Sequence, residues 1–346
     1  MIKWKRKGWI GLTAFLITGT LALLWGVVIQ FHRDYHAIPP GYLVGNGPSC
    51  VEALKEEGFP FSFLVIGDTR GSETAETLIE RALKKGKSSF MVILGDFVQK
   101  PDLWNHRFFL TEMTAEIKPP FPVFLVSGNH DIDFKESIKN PDRRMTPEIY
   151  ESLYGERNFD FVFNQCLFII CGIDPRTPAS YLNSLRARLS RKGKGKRHIF
   201  IFIHTPPRGL ADYIDTSLPG EEEFFSLLED FKDVTCFFGD YHGYWRGQRK
   251  GVHLLVSGGG GGHLKRSEWG EFHHLVRVTV GHGKASEEVI TVPRQFELED
   301  DFEEVVFTHL LPWVDHAGWV FYLLMGIFLL GSGVLFIKFL NSLRSG

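Results

Sequence analysis

Residues 122–131 read PVFLVSGNHD: an apolar run of strand length that breaks at Gly128 and delivers Asn129, His130 and Asp131 in succession. The same construction recurs four more times. Residues 61–67 lead to Asp68, residues 90–95 to Asp96, residues 199–203 to His204, and residues 234–239 to Asp240 and then His242. The runs are nearly continuous in Val, Ile, Leu and Phe, as strands covered on both faces are. In α/β sheets, ligands lie in the crevice outside the carboxyl ends of the strands. Asp, Asn or His after each of five runs therefore points to one shared site. Gly67, Gly95 and Gly239 stand immediately before a carboxylate, where a missing side chain lets backbone approach closely.

Helical stretches separate the early runs, at residues 72–85 (with Ser72 as N-cap), 103–117, 180–192 and 221–231. Further strands are expected at 160–163, 167–173, 252–257 and 274–280. Strand alternating with helix predicts an α/β (α+β) domain. The part from 234 to 292 has little helix and reads as a β-meander.

The chain has 346 residues, 44% hydrophobic and 23% charged, with a net charge of -2. This is globular composition and excludes disordered, collagen-like and disulfide-scaffold classes. The near-neutral balance argues against nucleic acid as a partner. The 31 phenylalanines point either to thick apolar layers or to membrane contact. Cys50, Cys166, Cys171 and Cys236 show no zinc spacing, and Cys166 and Cys171 face opposite sides of a strand, so buried free thiols are expected.

No charged residue occurs between Gly8 and Phe31, and Lys3, Lys5, Arg6 and Lys7 precede that stretch. Its length predicts an uncleaved transmembrane helix over residues 9–30. A second uncharged stretch, residues 317–337, carries Trp319 and Tyr322 near one end and is followed by Lys338 and Arg344. The basic tails, 1–8 and 338–346, are expected in the cytoplasm of a two-pass cell-membrane protein. The intervening part, with an entry segment at 31–60 and an acidic linker at 293–316, is then extracytoplasmic. Seven basic residues in 186–197 read either as an anion or lipid-headgroup patch or as a solvated helix end.

Asp and Asn supply oxygen ligands and His supplies nitrogen, a mixture suited to first-row divalent metals. Taken in order, Gly67-Asp68-Thr69-Arg70-Gly71, Gly95-Asp96, Gly128-Asn129-His130-Asp131, His204 with Pro206-Pro207, and Gly239-Asp240-Tyr241-His242 resemble the five motifs of the calcineurin-like metallophosphoesterases. The resemblance covers about residues 61–282 and implies a four-layer αββα sandwich, here a domain at 61–292 flanked by the two transmembrane helices. It implies two divalent ions (Mn, Fe or Zn), with Asp96 bridging them, Asp68 and His242 on the first, and Asn129 and His204 on the second. It also implies that His130 contacts the phosphate and protonates the leaving oxygen, with Asp131 orienting it.

Two positions depart from the family. Arg70 stands where a histidine ligand is usual, and a guanidinium cannot ligate a metal; a fork to the substrate phosphate is the expected role. Asp240 replaces another histidine and can still ligate. The first ion is thus left with Asp68, Asp96 and His242, which predicts weaker binding there, or one metal plus Arg70. The expected activity is hydrolysis of a phosphate mono- or diester, lipid-linked or envelope-derived, with membrane lipids as partners. The competing expectation is a non-catalytic metal- or phosphate-binding sensor. The run Ser257-Gly258-Gly259-Gly260-Gly261-Gly262-His263 lacks the Lys-Ser/Thr of a phosphate-binding P-loop. It reads either as backbone packed against the site, with His263 near substrate, or as a flexible turn.

Overall fold

The computed structural model describes residues 13, 16–23, 25–26, 42–56, 58–294, 302 and 305–344. The chain divides into two compact units, Pro39–Asp300 and a second made of Met1–Ile38 with Asp301–Gly346.

The larger unit contains two sheets. In the first, the strands β1 (Phe61–Ile66), β2 (Met91–Ile93) and β3 (Val123–Leu125) run parallel. The antiparallel pair β10 (His273–Val280) and β11 (Ala285–Val292) extends this sheet on the β1 side, giving the order β11-β10-β1-β2-β3. The second sheet has β4 (Phe159–Phe163), β5 (Cys166–Cys171), β6 (Ile199–Ile203), β7 (Val234–Phe238), β8 (Tyr244–Arg249) and β9 (Val252–Ser257), in the order β4-β5-β6-β7-β9-β8. Here β5, β6, β7 and β9 are parallel, with antiparallel β4 and β8 at the edges.

The parallel strands are continuous in apolar residues because both of their faces are buried. Along β5, Cys166, Phe168 and Ile170 face the other sheet, and Leu167, Ile169 and Cys171 face the helices. The layer between the sheets is built on Phe61, Phe63, Phe90, Phe124, Phe161, Phe163, Phe168, Phe200, Phe202 and Phe237. Phe63 stacks on Phe90 at 5.0 Å, and Phe168 on Phe200 at 5.0 Å. Phenylalanine thus fills a thick apolar layer in this unit. All four cysteines are buried free thiols.

Helices cover the outer faces. Over the first sheet lie α1 (Glu73–Lys85), α2 (Leu103–Thr111) and α3 (Pro147–Tyr154). Over the second lie α4 (Ser180–Arg188) and α5 (Glu221–Leu228). Ser72 caps α1 by accepting from the amide of Ala75. The helix predicted at 103–117 changes to π-helical turns over Glu112–Ile117. The basic stretch after α4 is a tethered helix end: Arg188 and Lys192 both reach Asp160, Arg186 pairs with Glu223, and Arg197 lies over the Phe59 ring.

Among the described residues, His106, His198, His273 and His274 are buried outside the site, and burial lowers the pKa of each. Burial pushes His106 down to about 3 and His198 and His274 to about 4. Unfolded, each takes up a proton near 6.5, so from that pH down to about 4 the unfolded chain binds more protons and stability falls as pH falls. His198 is held by Thr235 Oγ1 at 2.9 Å and stacks on Phe200. His198→Gln is expected to remove about one proton, or ~1.4 kcal/mol per pH unit, from this acid dependence. Urea unfolding of both chains between pH 7 and 4.5 measures it; parallel slopes would contradict the assignment.

In the second unit, helix α6 (Leu311–Arg344) is 34 residues long. Among the described residues no helix is long and apolar enough to cross a membrane. The two flanking transmembrane helices expected from sequence therefore find no support there, and half of 9–30 lies outside the described residues.

Candidate metal centre

Each functional side chain stands just past the carboxyl end of a parallel strand: Asp68 after β1, Asp96 after β2, Asn129 after β3, His204 after β6 and Asp240 after β7. Four of the residues there, Asp68, Arg70, Asp96 and Asp240, adopt left-handed backbone, with φ of 56°, 53°, 51° and 61°. Side chains rarely hold that conformation, and strain of this kind collects at functional sites. Gly128 allows the loops to close: a Cβ there would collide with Asp96 Oδ1.

His204 is the hub. Its Nδ1–H donates to the Leu94 carbonyl at 2.7 Å, which fixes the tautomer. Its Nε2 then faces Asp96 Oδ1 at 3.4 Å, Asn129 Oδ1 at 3.3 Å and Asp240 Oδ1 at 3.8 Å. His242 is set in the same way, with Nδ1 donating to the His263 carbonyl at 2.9 Å and Nε2 3.3 Å from Asp68 Oδ1. That oxygen of Asp68 is buried, and His242 Nε2 is the group that faces it. Ligand atoms of Asp68, Asp96 and His204 lie within 4.8 Å of one another.

The electrostatics follow from the crowding. Burial lowers the affinity of His204 for a proton, but Asp96, Asp68 and Asp240 outweigh it and raise its pKa to about 9. Burial raises Asp96, while His204, His130 and Arg70 pull it below the usual carboxylate range. Asp68, fully buried beside Asp96, is raised. The carboxylates that draw a proton onto His204 supply the field a divalent cation needs. Three oxygen donors around His204 Nε2, two of them charged, and a buried Asp68 oxygen faced only by His242 fit metal binding.

Arg70 and His130 share one edge. Arg70 Nη2 donates to Asp96 Oδ2 at 3.0 Å, and Nη1 lies 3.3 Å from His130 Nδ1. His130 Nδ1 is 2.8 Å from the Gln99 carbonyl, which leaves Nε2 on the site side, 4.0 Å from Asp96 Oδ2.

Asp131 is the expected site residue placed elsewhere. Its carboxylate accepts from the amides of Asp96, Phe97 and Gly128 at 2.8, 3.0 and 2.7 Å. Burial and the charge of Asp96 push it up to about 7. It ties the β2 loop to the β3 loop, and the Gln99 carbonyl, not Asp131, orients His130. Three backbone carbonyls do the orienting, those of Leu94, His263 and Gln99, and a carbonyl has no signature in sequence.

The glycine-rich run is packed backbone. Gly260 and Gly262 donate to the carbonyls of Gly67 and Asp68 at 2.9 and 3.0 Å. His263 contributes its carbonyl; its side chain is exposed.

The family model of the calcineurin-like phosphoesterases matches residues 61–244, more than half of the chain. Among solved structures, the chain is similar to a dimetal phosphatase from Danio rerio (14% identity, 67% of this chain and 99% of that chain, TM-score 0.45). It is also similar to GAP50, the anchor in the inner membrane complex of Plasmodium (14%, 72% and 95%, TM-score 0.44). A putative 5'-nucleotidase from Staphylococcus aureus is a third (15%, 70% and 57%, TM-score 0.38). No curated relative matches. Five motifs in order, carried to one end of two facing sheets and matched by the family model, establish that the chain belongs to the calcineurin-like phosphoesterases.

Proposed function

We propose that the protein is a metal-dependent phosphoesterase that hydrolyses a phosphate mono- or diester. The observation that carries this reading is His204: its tautomer is fixed by Leu94, and its Nε2 is aimed at three ligand oxygens. Asp96, Asn129, His204 and Asp240 would hold an ion, with Asp68 and His242 beside them. A bound divalent ion supplies charge for the phosphoryl oxygens and a water activated for in-line attack. Arg70 lies at the same edge with donors for a phosphate oxygen. His130 holds Nδ1–H toward Gln99, which leaves Nε2 on the site side; protonated on both nitrogens, the ring would give its Nε2 proton to the leaving oxygen. Asn129 is exposed and His130 is half-buried, so the ester enters from their side.

Membrane anchoring is part of the same proposal. Along α6, Val320, Leu323, Leu324, Ile327, Phe328, Leu330, Val334 and Ile337 are all exposed to at least 44%. A helix apolar on several sides belongs in a lipid or protein environment. No described helix is long and apolar enough to cross a membrane, so the two-pass arrangement rests on the sequence reading alone. On that reading the tails are cytoplasmic, the phosphoesterase domain is extracytoplasmic, and a lipid-linked or envelope phosphate is the proposed substrate class.

Turnover tests the activity. The full chain in detergent, stripped and reloaded with Mn, Fe or Zn, is expected to hydrolyse an aryl phosphomonoester or diester and to stop when chelator is added. No turnover by protein shown to bind metal would favour a sensor.

A further inference from the structure

We propose that this site holds one tightly bound divalent ion, with the Arg70 guanidinium occupying the side of Asp96 that a second ion would need. The inference rests on the metal-dependent reading above and concerns how many ions the chain's own residues accept.

A carboxylate bridges two ions by giving one oxygen to each or by sharing a single oxygen between them, and Arg70 closes the first of these routes. Asp96 Oδ1 faces the His204 side at 3.4 Å. Its Oδ2 is taken: Arg70 Nη2 donates to it at 3.0 Å. Arg70 is not a loosely placed surface side chain. Its own amide donates to the Asp96 carbonyl at 3.1 Å, its φ is 53°, and its side chain is 18% exposed. Backbone and side chain together bind it to the same residue. A guanidinium stays protonated and offers only donors, so it neutralises Asp96 Oδ2 without ligating anything.

The two sides of Asp96 are unequal in donors. The His204 side has four: Asp96 Oδ1, Asn129 Oδ1, Asp240 Oδ1 and His204 Nε2. On the other side lie Asp68 Oδ1 and His242 Nε2, which face each other at 3.3 Å, and Asp68 Oδ2, which accepts from the Asp240 amide at 3.0 Å just as Asp96 Oδ1 accepts from the His130 amide at 2.9 Å. A dication there would have donors from two residues, Asp68 and His242, at most a shared Oδ1 of Asp96, and the fixed positive charge of Arg70 beside it. Of the two sequence-based expectations, two ions with the first held weakly or one ion plus Arg70, these residues fit the second while Arg70 is in place.

Manganese content and spin coupling test this in the full-length protein in detergent, stripped, reloaded with Mn2+ alone and desalted. The wild type is expected to keep one manganese per chain and to give the six-line spectrum of an isolated ion. Arg70→His is expected to double the content and to give the spectrum of a coupled pair. Two manganese ions per chain with a coupled spectrum in the wild type would overturn the proposal. One ion in both proteins would overturn the role given to Arg70. If Arg70→His does not fold, the wild-type spectrum decides alone. No manganese in either folded protein would instead reject the metal centre itself.

Discussion

Asp96→Asn is expected to empty the centre of metal and to lower kcat/KM for a phosphate ester by about a thousandfold or more, the scale of losing a preorganised electrostatic group from an active site. Asp96 is where the charges meet. It faces His204 Nε2, accepts from Arg70 Nη2 and accepts from the His130 amide at 2.9 Å. Asparagine has nearly the same shape and keeps an acceptor for that amide, so the loops stay in place. What it removes is the negative charge, and with it the attraction for a cation and the partner of a protonated guanidinium. Metal content and steady-state kinetics measure the loss, and circular dichroism establishes that the fold is kept. A variant with unchanged metal and turnover within about tenfold of wild type would show that the chemistry lies elsewhere.

The second large effect is expected at Gly258, which lies where three segments converge. A Cβ there would collide with the Tyr241 carbonyl oxygen and stand 2.6 Å from Asp68 Oδ2. Neither neighbour can yield cheaply. Tyr241 lies in the loop that carries Asp240 and His242, and Asp68 Oδ2 receives the Asp240 amide. Gly258→Ala is therefore expected to cost about 3 kcal/mol of stability, the upper range for overpacking, and to reduce metal affinity by displacing Asp68. Gly283→Ala is the control, since nothing lies within 4 Å of its Cβ position. It is expected to change stability by no more than about 0.5 kcal/mol. Denaturant unfolding of the two variants measures the difference. Equal stabilities would show that the glycine run is a flexible turn.

Most of the fold legible in sequence had two buried faces, although edge strand β4, expected at 160–163, was read as well. Strands β1, β2, β3, β5, β6, β7 and β9 announce themselves as apolar runs because each side of the sheet packs against something. Strand β8, YWRGQR, and strand β11, ASEEVITV, escape that signal. Both are edge strands, and β11 alternates exposed residues with half-buried ones, only Ile290 and Val292 being buried. Helix α3 was also missed, although Thr146 caps it and Pro147 opens it. It is short, and its buried Tyr150 and Tyr154 do not form a run.

The site was legible for the same reason that the sheet was. A polar residue after an apolar strand has to stand at the crevice, and nine such residues were read from the chain. Eight lie at that end with their functional atoms facing one another. Asp131 differs because proximity in sequence to His130 says nothing about direction. Its position beneath the loops lets it collect three amides, and that demand takes both oxygens. The backbone carbonyls that orient His204, His242 and His130 were illegible, since every residue has one. The meaning of Arg70 was half legible: sequence shows that it cannot ligate, and only geometry shows that it holds Asp96 Oδ2.

The central claim is that the strand ends form a metal centre around His204. Anomalous diffraction at the manganese edge, from crystals of the full-length protein loaded with Mn2+, tests it most directly. The account predicts a manganese peak within ligand distance of His204 Nε2 and of oxygens from Asp96, Asn129 and Asp240, at about 2.0–2.3 Å as for other divalent ions held by N and O donors. A peak bound elsewhere, or none at these four residues in protein that retains manganese, would contradict it.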